Sequence, residues 1–418
     1  MGGVDLELRA VTDEGSRLAE LARAHAEAFA RRADEHDRAG TFPFESWEEM
    51  KESGFLAASV PAEFGGLGVS SVHDLALATS RLARGDASTA IAANMHLVTP
   101  WFFTRLYEHA RSTGDTRTER RLTHLLRTAG ASRVICCVAF TEAGTFPSWP
   151  AAEATRDDGG YRINGHKIFC TNAPASTLFV STVRVAARDG EYALGLAAVP
   201  RATPGLEVRE TWDALGMRAS GSHDVVYEDC FVPEEMVTLA GPLGDFAADG
   251  FPLLLVNTIT LAGASLGIAE AAHAVAVDLV RTRRKAPSNR LLAERLAVQT
   301  RVAESEVDLA ASRAILARSA LRLDEHFAAH GQDELELDEL HQLMKDVQCT
   351  SMAVKHKAIA IVDRAMTLSG GSGYLSRSPL SRLYRDVRAG PFMQPFSPLE
   401  AFEYIGKVAL GLEPTLDV

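Results

Sequence analysis

The sequence predicts an α+β protein with an N-terminal helical domain, a middle antiparallel β-domain and a C-terminal helical bundle. Apolar residues follow the helical period up to about Arg127, then short β-rich segments separated by hairpin-type turns take over, and the helical period returns after Gly244. The 418 residues also exceed the roughly 250 to 300 at which one hydrophobic core stops growing, so two or three domains are expected.

In the first part, residues 1–131, Leu18, Leu21, Ala22, Ala28 and Phe29 share one helical face with charges opposite. Pro61-Ala62-Glu63-Phe64-Gly65-Gly66-Leu67-Gly68 interrupts the helices, because proline and glycine are costly inside one. In the second part, residues 132–240, the segments Val134–Phe140, Tyr161–Ile163, Thr177–Val185, Tyr192–Val199 and Val225–Val232 read as strands. Asp157-Asp158-Gly159-Gly160 and Arg188-Asp189-Gly190 have hairpin-turn chemistry. In the third part, residues 241–418, the stretches Leu261–Leu279, Leu291–Leu323 and Glu334–Met366 are long enough for a bundle.

Composition narrows the function classes. With 46% hydrophobic and 23% charged residues the chain reads as a globular protein. A formal net charge of -12 argues against nucleic-acid binding, which needs clustered Lys and Arg. An anionic ligand would need a local basic patch, for which Arg281, Arg283, Arg284 and Lys285 are candidates. The N-terminus shows no basic stretch followed by an apolar one, and the apolar run from Phe251 to Ile268 is broken by Asn257 and Thr258, so neither a secretory signal nor a membrane span is expected. Five cysteines without metal-type spacing suit reduced thiols in the cytoplasm and predict no metal site.

Pro61–Gly68, Phe140–Gly144, Gly160–Asn172 and Ser369–Arg388 carry more than periodicity requires, and taken together, in this order, the four segments resemble the acyl-CoA dehydrogenase superfamily over nearly the whole chain. The Pro61–Gly68 loop is similar to the glycine loop of the family's N-terminal domain. Phe140-Thr141-Glu142-Ala143-Gly144 resembles the turn by which the family's β-domain meets its flavin; beyond it Thr145-Phe146-Pro147-Ser148 departs from the family pattern, leaving Thr145 or Ser148 to supply a hydroxyl for the pyrophosphate. Gly160–Asn172 resembles the family's hairpin and following strand, which implies that Phe169 covers the flavin and that Thr171 places a hydroxyl near its N5; Leu215–Ser220 and Asp229–Pro233 extend this match. Ser369-Gly370-Gly371-Ser372-Gly373-Tyr374, with Arg382 and Tyr384-Arg385-Asp386-Val387-Arg388, resembles the segment whose glycines approach the cofactor of a neighbouring subunit. Arg283 is similar to another inter-subunit contact. The resemblance implies FAD, a homo-oligomer (dimer or homotetramer), and an electron-transfer or flavin reductase partner.

One departure bears on the reaction. Dehydrogenating an acyl thioester requires a base for the α-proton, in this family a glutamate about eight residues beyond the Arg-Asp pair. Here Gln394 occupies that place, and Asn257 matches an alternative position used by a minority. Neither amide acts as a base near neutral pH. Glu400 lies nearby but reads as a solvated charge on a terminal helix, and His96 is a weak alternative, since a lone histidine on an apolar helix is more often a satisfied core residue. The sequence therefore leaves two enzymatic readings. One is an oxidoreductase of this family acting on an acyl-CoA or carrier-bound acyl thioester, and the other is a flavin monooxygenase on the same fold that uses reduced flavin and O2. A binding protein that has lost catalysis stands as a third.

Overall fold

The computed structural model describes residues 7–186, 191–244, 250–330, 336–393 and 395–414. Six helices form the first part: α1 (Asp13–Phe29), α2 (Ala33–Ala39), α3 (Phe44–Glu52), α4 (Val72–Ala83), α5 (Ala87–Thr113) and α6 (Thr116–Gly130). The Thr12 hydroxyl caps α1 by accepting from the Gly15 N–H, and the Asp86 carboxylate caps α5 by accepting from the Ser88 N–H. The Pro61–Gly68 loop falls between α3 and α4, and a Cβ on Gly66 would lie 2.0 Å from the Val60 carbonyl oxygen, so only glycine fits there. Almost every residue of α5 up to Phe103 is buried, which makes it the central helix of this part.

Strands follow: β1 (Cys136–Ala139), β2 (Glu153–Asp157), β3 (Gly160–Cys170), β4 (Leu178–Ala186), β5 (Tyr192–Pro200), β6 (Leu206–Arg209), β7 (His223–Pro233) and β8 (Val237–Pro242). They form one sheet in the order β6-β7-β3-β2-β4-β5-β8, with β1 paired to β4. The expected antiparallel pattern holds for most neighbours, but β1 and β2 both run parallel to β4, sharing one of its edges at different heights. The chain enters the sheet on β1, leaves it for the 140–152 segment and returns in the β2–β3 hairpin, which brings β4 back in the direction of β1. Strand β8 extends the sheet beyond the last expected strand, and the Arg188-Asp189-Gly190 turn lies outside the described residues.

The third part comprises α7 (Phe251–Thr282), a two-stranded β9 (Arg284–Lys285) and β10 (Arg290–Leu291), α8 (Leu296–Ala329), α9 (Leu337–Ser369), α10 (Pro379–Asp386), a short helical segment Val387–Phe392, and α11 (Pro398–Ala409). Helix α7 is long and apolar enough to cross a membrane, yet 89% of its apolar window is buried inside the protein, so it serves as the bundle's core helix. One hydrophobic core runs through both helical parts, joining residues such as Leu75, Val98, Ile259 and Ile361, while a second fills the β-domain around Phe179 and Tyr227. The two helical parts thus fold as one packed body, with the sheet set against its side.

Candidate functional site

Where the sheet meets the helices a cavity of about 470 Å³ opens between strand β1, the end of β3, helices α5 and α7, and residues 385–393 with Pro395. That volume lies within the range of small-molecule sites.

The sheet side is built by the 140–144 turn and the end of β3. The fully buried Lys167 ammonium donates to Glu142, whose carboxylate also accepts from the Ala151 and Ala152 N–H groups at 2.6 and 3.1 Å. The Ile168 N–H donates to the Thr141 carbonyl at 2.9 Å, so Phe140 and Thr141 reach the cavity on a turn fixed at both ends. Phe169 adopts a left-handed φ of 55°, unusual for a bulky residue, which turns its ring outward, 56% exposed and edge-on to Trp212 at 6.0 Å. The Thr171 hydroxyl joins Ser222 at 2.8 Å and Ser222 joins Ser220 at 2.6 Å, a short relay of hydroxyls.

Trp212 to Met217 form the lip. A Cβ on Gly216 would lie 2.3 Å from the Arg385 carbonyl oxygen, so the lip docks directly on α10. The Met217 N–H donates to Asp386 at 2.7 Å, and Arg385 donates to the Leu215 carbonyl and, through both terminal nitrogens, to Asp37. Burial pushes the Asp386 carboxyl up to about 7, against the pull of the Arg382 guanidinium 3.7 Å away.

The helical side is apolar at Ile91, Met95, Leu253, Leu254 and Leu261, with one amide among them: Asn257 accepts from Asn94 Nδ2 at 3.0 Å. Its Nδ2 has no partner among the described residues. Arg388, Ala389, Phe392, Met393 and Pro395 complete this side. Met393 and Pro395 flank Gln394, which itself lies outside the described residues. Among the described lining residues the sole carboxylate is Asp213, 92% exposed on the lip and paired with Arg218.

Of the residues expected at the cofactor, Phe140, Thr141, Phe169 and Thr171 converge on this cavity. Thr145 and Ser148 do not line it: the Thr145 hydroxyl donates to the Trp149 carbonyl, and Ser148 is buried with its own carbonyl accepting from the Gly244 N–H. Arg283 donates to the Ser369 carbonyl at 3.2 Å, so it and Gly370, Gly371 and Gly373 meet at a separate corner, where Gly370 has a φ of 59°. His96 lies off the cavity in the core. Its Nε2 donates to the Leu56 carbonyl at 2.9 Å and its Nδ1 accepts from the Cys136 N–H at 3.1 Å, so both nitrogens are used and burial pushes it down to about 4. Neutral at physiological pH and out of reach of a ligand, it is a structural tie between α5 and β1. Glu400 caps α11 by accepting from the Ser397 N–H.

Sequence reasoning missed three features here. The Glu142–Lys167 pair was visible only as two polar residues 25 positions apart in separate motifs. The Asn94–Asn257 bond joins helices 163 residues apart. Lys355 is buried behind the 387–392 segment, where its stem would meet a Cβ on Gly390 at 3.4 Å and burial pushes its amine down to about 8.

The cavity fits a flavin: an exposed aromatic flank from Phe169 and Trp212, threonines at 141 and 171, and apolar walls match a planar heteroaromatic ring with polar edges. The whole chain agrees. Models of the acyl-CoA dehydrogenase N-terminal, middle and C-terminal domains match residues 12–105, 137–230 and 259–396. The amino sugar nitrososynthase DnmZ of Streptomyces peucetius is 35% identical over 407 residues, covering 96% of this chain and 94% of its own. The structure of KijD3 in complex with FMN and dTDP-3-amino-2,3,6-trideoxy-4-keto-3-methyl-D-glucose superposes with a TM-score of 0.89 at 32% identity, covering 100% of this chain and 98% of that one. The nitrososynthase from Micromonospora carbonacea var. africana gives a TM-score of 0.88 at 34% identity, with 98% and 100% coverage.

Proposed function

The chain belongs to the acyl-CoA dehydrogenase family and is a flavin-dependent oxidoreductase, and from that premise we propose that it is a monooxygenase that oxidises the amine of a nucleotide-linked amino sugar, using FMN. The observation that carries this is the character of the helical wall. It is apolar and amide-lined at Asn257, where removal of an α-proton would call for a carboxylate. The full-length similarity to nitrososynthases supports the same reading.

The physical chemistry is consistent. An amine attacks an electrophilic oxygen only through its lone pair, so it must be held unprotonated. An apolar wall disfavours the ammonium form, and an amide in place of a carboxylate removes the partner that would stabilise it. Asn257, fixed by Asn94, is free to donate from Nδ2 to a polar group of the substrate. Phe140, Thr141, Phe169 and Thr171 hold the flavin, and the Trp212–Met217 lip limits access of water.

Bound in its reduced form, the flavin supplies the electrons that activate O2. In net terms, one amine, one O2 and one reduced flavin give a hydroxylamine, one water and oxidised flavin; a second round gives the nitroso compound and two waters. FMN rather than FAD is favoured by the similarity to KijD3, whose complex holds FMN, and by the Thr145 hydroxyl, which bonds to the Trp149 carbonyl instead of facing the cavity. A separate flavin reductase as partner, and a homo-oligomer joined at the Arg283 and Gly370 corner, belong to the same reading.

The test combines the purified protein, FMN, an NADH-dependent flavin reductase and O2 with a thymidine-diphosphate amino sugar. Mass spectrometry should show product carrying added oxygen on nitrogen. If no oxygenated product forms while acyl thioesters bleach the oxidised flavin under anaerobic conditions, the reaction is thioester dehydrogenation instead.

A further inference from the structure

Three arginines stand three residues apart on α10 and its continuation: Arg382, Arg385 and Arg388. Helix α2 runs beside them with acids at the same interval. Arg382 donates to Asp34 at 2.8 Å, and Arg385 binds Asp37 through both terminal nitrogens. The next position on α2 at this interval is Gly40, where the helix has ended in a left-handed turn with φ 65°. The acidic ladder stops one rung short.

Arg388 is the rung without an acid. It lines the cavity, is partly buried, and among the described residues meets only its own helix neighbour Tyr384, donating to the hydroxyl at 3.1 Å and lying 5.2 Å over the ring. The other charged groups on the cavity wall are committed, Arg385 to Asp37 and Asp213 to Arg218. A guanidinium drawn partly out of water without a counter-ion is unfavourable until an anion arrives, and its planar fork matches phosphate oxygens in pairs. In a chain of net charge -12 such a group is also the feature that draws an anionic ligand to this mouth.

Resting on the nucleotide-sugar reading above, we propose that Arg388 binds the diphosphate of the substrate and thereby makes the enzyme select nucleotide-linked sugars over free ones. Arg388 supplies the third counter-charge of the ladder, and the substrate supplies the third anion.

Titration calorimetry of the full chain with thymidine diphosphate, in the presence and absence of FMN, tests this. Arg388→Ala should weaken binding about 10- to 100-fold, the scale of a charge-assisted bidentate contact. Arg388→Lys should fall between, keeping the charge but losing the fork. Thymidine, lacking phosphates, should bind both variants as it binds the wild type. The salt dependence of thymidine diphosphate binding should shrink in Arg388→Ala, and FMN affinity, followed by fluorescence quenching, should not change. Equal thymidine diphosphate affinity in wild type and both variants overturns the proposal. So does a loss confined to FMN, which would assign Arg388 to the cofactor's phosphate. If the wild type binds no thymidine diphosphate while retaining FMN, the nucleotide reading itself fails and takes this proposal with it.

Discussion

The two walls of the cavity are built on opposite plans. The sheet wall is interlocked: Glu142 and Lys167 form a buried ion pair, the Thr141 carbonyl accepts from the Ile168 N–H, and the hydroxyls of Thr171, Ser222 and Ser220 are linked in series by hydrogen bonds. Among the described residues the helical wall is mostly apolar packing, with the amide pair Asn94 and Asn257, and Arg388 without an acid. Holding one planar cofactor in one orientation calls for fixed polar contacts, whereas selecting a substrate calls for side chains exchangeable without unfolding the site. On the proposed reading, the reaction chemistry is set on the helical wall, where substitutions are cheapest.

The largest effect should come from breaking the interlocked wall. Glu142→Ala would leave the Lys167 ammonium buried without its carboxylate and the Ala151 and Ala152 N–H groups without their acceptor. Removing one member of a buried pair costs about 3 to 5 kcal/mol, so urea denaturation should show a loss of that size with weakened FMN retention. Glu142→Gln, which keeps an acceptor, should lose less. If Glu142→Ala were as stable as wild type, the contrast between the walls would be wrong.

His96 ties the walls together, bonding from α5 to the Leu56 carbonyl and to the Cys136 N–H of β1. His96→Ala would leave both backbone groups unpaired in the core, at about 3 kcal/mol. The wild type carries a related acid sensitivity. The folded-state value near 4 lies below the unfolded value of about 6.5, so the unfolded chain takes up the proton first. This contribution to stability is therefore intact above pH 6.5 and is lost as the pH falls toward 4, by up to about 3 kcal/mol. Denaturation curves measured across that range should converge for wild type and His96→Ala, and parallel curves would remove His96 from this role.

The same contrast explains what was legible in the sequence. Phe140, Thr141, Phe169 and Thr171 sit within local motifs, and a turn and hairpin of fixed geometry deliver them to one place. The three-part fold was legible for the same reason, since helical and strand periods are local signals. Arg388 and Asn257 were visible as residues, but their meaning depends on partners elsewhere in the chain: Asp34 and Asp37, which neutralise the neighbouring arginines and leave Arg388 out, and Asn94, which fixes Asn257. The parallel pairing of β1 and β2 with β4 was hidden similarly, because strand direction follows from the route of the chain between strands.

The smallest expected effect is the most specific to the reaction. Asn257→Asp places a carboxylate on the apolar wall where a minority of the family carries a glutamate. Asn94 Nδ2 would still have an acceptor, so the contact between the two helices is kept, and stability and FMN binding should change less than stability does in His96→Ala. Catalysis should respond through the substrate. A carboxylate within a few ångströms favours the ammonium form of the amine and raises its pKa by about 1 to 3 units. The alkaline rise of kcat, which reports ionisation in the enzyme–substrate complex, should then shift to higher pH by a similar amount, with little change where the amine is neutral in both proteins. A dehydrogenase short of its base would behave in the opposite way, gaining thioester oxidation near neutral pH when the carboxylate is restored. The pH profile of Asn257→Asp thus separates an enzyme whose helical wall keeps an amine neutral from one that has merely lost its base.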